Sequence, residues 1–205
     1  MKLPEEFSNI GGDLAADGSI IYAENDAGIA LAVQGIQKQQ EGICFDGFRS
    51  LVILENTQAP HDYSFTFNLP DGCKLIEDGG YINIIDEDNI ITDENGENAE
   101  PEKLGIIEPA WAEDANGKSV NTHYGIDGNT LTQIVEFDEE NTFPVVADPE
   151  VTVNAVGEKS ETSEGKEVVI DVPLPTETDS AESIIKEYAA VAIKCYGKAR
   201  GKQYM

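Results

Sequence analysis

The side chains best supplied for chemistry in this chain are carboxylates. Between Glu77 and Glu102 stand Glu77, Asp78, Asp86, Glu87, Asp88, Asp93, Glu94, Glu97, Glu100 and Glu102, with no lysine or arginine among them. A hard cation such as calcium prefers such oxygens, and Asp86, Asp88 and Asp93 form the trio at which an ion is expected first. The spacing does not follow the EF-hand, which needs glycine at the sixth position of a loop begun by aspartate. A solvated hairpin is the simpler reading of the block. Trp111, the sole tryptophan, also has two readings. It is either an aromatic platform for a sugar or a large side chain covering core or sheet edge.

Nucleophilic chemistry has weaker support. His61 and His123 stand in no motif, and GxSxG, HExxH, P-loop and GxGxxG patterns are absent. No catalytic residue is assigned. Paired carboxylates are so abundant that they do not single out a glycoside-hydrolase pair. Cys44, Cys73 and Cys195 are far apart, with no CxxC or zinc spacing. They fit one disulfide plus one thiol, or three reduced thiols.

The elements that would carry these residues read as strands. Seven Asp-Gly or Asn-Gly pairs, at Asp17, Asp46, Asp71, Asp78, Asn95, Asn116 and Asp127, punctuate the first three quarters of the chain. Such pairs tolerate the positive φ of tight hairpin turns. Between them apolar residues alternate. In "YSFTFNL" Tyr63, Phe65, Phe67 and Leu69 share one face, and in "GIALAVQGI" Ile29, Leu31 and Val33 do. "SLVILE" is apolar throughout from Leu51 to Leu54, as a strand covered on both faces is. "NTLTQIVEF" aligns Leu131, Val135 and Phe137, with Gln133 between them. These patterns predict an antiparallel β-sandwich, because no crossover helices exist to build a parallel sheet.

The character changes near Pro149. The apolar "FPVVA" predicts a short closing strand with Asp148-Pro149 as its exit. We place the β-sandwich domain at 1–153. Residues 154–205 then hold a polar linker, a short strand at "VVIDVPLP" and a C-terminal amphipathic helix. Asp179 with Glu182 resembles a capping box. Ile185, Tyr188, Ala189, Ala192 and Tyr196 form an apolar stripe, and Lys194, Lys198, Arg200 and Lys202 suit a helix C-terminus. That stripe has three possible docks: its own domain, another copy, or a partner.

Charge narrows the partners. Forty acidic residues against 13 basic ones give a net charge of −27. Such a field repels nucleic acid and anionic membrane surfaces and favours cationic partners, divalent ions or simple solubility. No run of about 18 apolar residues predicts a transmembrane helix, and the start "MKLPEEFSNIGG" lacks the apolar core of a signal peptide. On that ground a cytoplasmic location stays open.

The stretch "PAWAEDANGKSVNTHYGIDGNTLTQIVEFDEENTFPVVADP" resembles a block in a family of uncharacterised secreted proteins of Gram-positive bacteria. "DGSIIYA", "GIALAVQGI", "NTQAPHDYSFTFNLPDGCKL" and "DGGYINIIDEDNII" resemble its upstream segments in the same order. A more distant likeness is to β-domains of cell-surface repeat proteins. This chain has Ala110 where the family has Pro before the Trp, and Phe143 where it has Tyr. The resemblance spans about residues 17–150 and implies an extracellular or cell-surface β-domain, with no catalytic residue to carry over. The leading expectation is therefore a non-enzymatic structural or interaction module whose partner is an unknown protein or a cell-surface glycan. The first alternative is a calcium- or carbohydrate-binding module using Asp86, Asp88 and Asp93 or Trp111. The second is a hydrolase.

Overall fold

The computed structural model describes residues 1–24, 28–40, 43–92, 96 and 98–154. A single 3-10 turn, Glu5–Phe7, precedes the strands and buries Phe7. Among the described residues thirteen strands follow: β1 (Asp13–Leu14), β2 (Ile20–Glu24), β3 (Ile29–Gln40), β4 (Ile43–Leu54), β5 (Asp62–Thr66), β6 (Cys73–Asp78), β7 (Tyr81–Thr92), β8 (Ala99–Ile107), β9 (Trp111–Glu113), β10 (Asn121–Asp127), β11 (Thr130–Glu136), β12 (Val145–Asp148) and β13 (Glu150–Asn154). The chain is thus mainly β, as its alternation predicts. The amphipathic helix, the linker and the "VVIDVPLP" strand expected after residue 154 lie outside the described residues.

All pairings between these strands are antiparallel. The larger sheet runs β1-β2-β3-β4-β13-β8-β7-β6, with β12 also on β4 and β9 on β12. The smaller runs β10-β11-β5. Residues of both sheets meet in one buried cluster. Tyr22, Leu31, Val52, Leu54, Ile82, Ile84 and Ile107 come from the larger sheet, and Tyr63, Phe65, Leu131 and Val135 from the smaller. This shared core is consistent with a sandwich. Each large side chain buried there contributes roughly 1.5–3 kcal/mol.

The predicted faces are found. Tyr63, Phe65, Phe67 and Leu69 all pack in or against the shared core, as do Ile29, Leu31 and Val33. "SLVILE" is covered on both faces: Val52 and Leu54 belong to the shared core, Leu51 and Ile53 to a second cluster on the opposite face.

Two readings need correction. Val145–Asp148 is not the last strand. The chain turns at Pro149 and continues as β13, which lies between β4 and β8. Both strands bond the same edge of β4. β12 takes Val52–Leu54, and β13 takes Phe45–Arg49. Pro149 has no N–H to give a ladder, but its carbonyl accepts from the Ser50 N–H at 3.1 Å. Asp148-Pro149 is therefore a break within the sheet and not an exit from it.

The second correction concerns Asp46-Gly47. Six of the seven Asp-Gly or Asn-Gly pairs place glycine at positive φ, as hairpin turns require. Gly47 instead sits inside β4, opposite Ile36 and Thr152. A Cβ there would stand 2.2 Å from the Val151 carbonyl oxygen. Glycine is present because β13 approaches too closely for a side chain. Gly47→Ala is expected to destabilise the protein by about 2 kcal/mol through this overpacking, measured as a lowered denaturation midpoint. An unchanged midpoint would show that β13 does not pack against Gly47.

Candidate functional site

A set of hydrogen-bonded polar side chains lies where β9, β10, β11 and β12 meet. β9 pairs with β12, which sets Trp111 opposite Asp148. The Trp111 indole N–H donates to Asp148 Oδ2 at 3.2 Å, and the Asp148 side chain is almost wholly buried. The Tyr124 hydroxyl, from β10, donates to the Asp148 main-chain carbonyl at 3.0 Å. Gln133 points inward from β11 between Leu131 and Val135, and it is fully buried. Its amide donates to the Trp111 carbonyl and to Thr122 Oγ1, both at 3.3 Å. Gln133 Oε1 and Ser50 Oγ are buried with no hydrogen-bond partner among the described residues.

This cluster joins the two sheets by polar contacts. Burial holds the Tyr124 hydroxyl well above its ordinary value, helped by the Asp148, Glu150 and Glu108 carboxylates. It therefore stays a donor at neutral pH. A buried carboxylate that accepts from an indole N–H makes a charge-assisted bond of about 1.5–3 kcal/mol.

Beside this cluster, Asp114 staples two turns. Its Oδ1 accepts from the N–H groups of Asn116 and Lys118 at 2.9 and 3.0 Å, and Oδ2 from that of Thr142 at 3.1 Å. Burial opposes its charge, but those three N–H groups and the Lys118 cation outweigh it, so its carboxyl ionises below the ordinary 3.8.

The residues singled out from sequence are dispersed. Asp86 is buried in β7, and its Oδ1 accepts from the Asp88 N–H at 3.1 Å. This Asx turn shapes the irregularity between Asp86 and Ile90, where β7 slips its register against β8. Asp88 is exposed, and Asp93 lies outside the described residues. Among the described residues, no group of three or more His, Cys, Asp or Glu side chains is arranged to hold a metal ion. Trp111 packs against the outer cluster of Ile21, Ala30, Ala32, Leu51, Ile53 and Val146. His61 stacks on Phe137 with centroids 4.1 Å apart and reaches the Val135 carbonyl through Nδ1 at 2.9 Å. His123 is exposed beside Glu136. Cys73 is a buried thiol outside any disulfide, while Cys195 and the Cys44 side chain lie outside the description.

Sequence reasoning missed Asp114, Tyr124 and Asp148 as a set and left Gln133 without a role. Two signals were present. A glutamine at an inward strand position must find partners under cover. Asp-Ala-Asn-Gly carries an aspartate placed to bond the backbone two residues on.

No protein-family model matches the chain, and no curated protein or solved structure matches it. Among the described residues no helix is long and apolar enough to cross a membrane.

Removing the buried Asp148 carboxylate removes its bond with the Trp111 N–H, so Asp148→Ala is expected to cost about 2–3 kcal/mol in chemical denaturation. A loss within error would show the bond to be idle. Asp114 gives a pH test. Its folded-state pKa is depressed, so its stabilisation is complete above 3.8 and is lost as pH falls through the lower folded value. Acid melts should therefore show wild type losing its advantage over Asp114→Asn below pH 3.8. Parallel curves would refute the assignment.

Proposed function

We propose that the chain is a non-enzymatic β-sandwich interaction module, secreted or surface-associated, that recognises a protein or glycan partner at the cell surface. One observation carries the interaction reading. Ile90 and Ile91 stand half-exposed on the distal half of β7, at 52% each. They pair with Pro101 and Glu100 of β8. Glu87, Asp88 and Glu100 are exposed around them. Ile90 and Ile91 are consecutive on a strand and point to opposite faces of the exposed arm, so each face carries one apolar side chain near carboxylates, a match for a partner that grips the arm with apolar contacts and a cationic surround.

The polar residues of the "PAW…TLTQ…VVADP" block support the same reading from another side. Trp111, Gln133 and Asp148 bond one another or one another's backbone, with Tyr124 on the Asp148 carbonyl. Their shared task is to hold a scaffold, and recognition falls to the projecting hairpins. The extracellular location rests on the family resemblance.

The test uses isolated Gram-positive cell walls with their surface proteins attached. Wild-type protein should sediment with them, and Ile90→Ser with Ile91→Ser should bind about tenfold more weakly at unchanged melting temperature. No sedimentation, or equal sedimentation of both, would overturn the reading.

A further inference from the structure

β6 ends one side of the larger sheet. It pairs with β7 along one edge, and among the described residues no strand pairs with its other edge. The Gly72 carbonyl accepts from the Glu87 N–H at 2.9 Å, which sets the phase of the ladder. Hydrogen-bonded pairs alternate along an antiparallel ribbon, so Lys74, Ile76 and Asp78 turn their backbone groups to β7. Leu75 and Glu77 turn theirs to the open edge. Leu75 packs in the shared core, so the side chains of Lys74, Ile76 and Asp78 line the outer face of the sheet. Ile76 is 37% exposed there, and Tyr81, opposite Asp78, is 44% exposed.

We propose that this edge pairs with the same edge of a second copy, antiparallel and centred on Ile76. Opposed residues of neighbouring strands share a face, so a pair related by a twofold axis must centre on one residue. Among the interior residues of β6, centring on Lys74 would oppose two ammonium groups, and centring on Glu77 two carboxylates. Centring on Leu75 would set Lys74 against Ile76. Centring on Ile76 brings the two Ile76 side chains together and sets each Lys74 opposite Asp78 of the other copy. Leu75 and Glu77, whose backbone groups face the open edge, then fall opposite one another and exchange N–H···O bonds. Backbone phase, apolar contact and charge thus agree on a single register.

Charged side chains on an edge ordinarily deter pairing. Here their order, cation then anion along one face, is its own complement when the strand is reversed. Lys74 is held by an ion pair with Glu87, and Asp78 Oδ2 accepts from Asn83 Nδ2 at 3.4 Å, so both are positioned before a second copy arrives. The net charge of −27 opposes association at long range. At physiological salt that field is screened within about 8 Å, and contacts between paired edges act inside this distance.

Sedimentation equilibrium of the full chain at physiological salt should show a concentration-dependent dimer. Lys74→Glu and Asp78→Lys each place like charges opposite one another, so each variant should associate about tenfold more weakly, with the far-ultraviolet spectrum of wild type. Mixed in equal amounts, the two variants set opposite charges against each other at both positions. The mixture should regain wild-type association, seen as energy transfer between a donor on one variant and an acceptor on the other. Wild type that stays monomeric up to about 1 mM would overturn the proposal. So would a dimer that neither variant weakens, or a mixture that associates no better than each variant alone.

Discussion

One edge of β4 is bonded by two consecutive strands, and the remaining architecture follows from that arrangement. β12 takes its C-terminal part and β13 its N-terminal part, with Asp148-Pro149 between them. Proline ends the first ladder because it has no N–H, and its carbonyl still bonds Ser50. The offset carries β13 inward to join β4 to β8, and β8 brings in β7 and β6. Gly47 permits the close approach, and Asp148 anchors the break by accepting from Trp111.

The same break explains why buried polar residues gather there. A strand interruption turns backbone and side-chain polar groups toward the interior, where each needs a partner. Tyr124, Gln133, Trp111 and Asp148 supply partners to one another across four strands. Asp114, itself buried, does similar work beside them, tying the 114–118 turn to Thr142. Structural demand thus absorbs the residues that look most chemical in the "PAW…VVADP" block. What faces outward is a strongly negative field and an isoleucine pair on a hairpin arm.

Much of the fold was legible in the sequence because strand periodicity is local. Tyr63, Phe65 and Phe67 alternate with polar neighbours, and side chains two apart on a strand must share a face. "SLVILE" told of two covered faces, and both are present around Leu51–Leu54. Asp46-Gly47 misled for a non-local reason. Its pattern is that of a turn, but the residue that requires its glycine, Val151, is about a hundred positions away. The end of the sheet was misplaced likewise, because proline signals a break in a strand and says nothing of whether the chain returns to the same neighbour.

By itself the sequence determined the class and the charge: short amphipathic strands, turns that need glycine, and a surface that repels polyanions. Those properties depend on side-chain type and on periods of a few residues. Only the tertiary structure decided that β12 and β13 share one edge of β4 and that Trp111 meets Asp148. It also decided that Asp86 serves an Asx turn beside a slipped register. Each of these depends on pairing between distant strands, whose register is set by the global fit of buried faces and not by any local pattern.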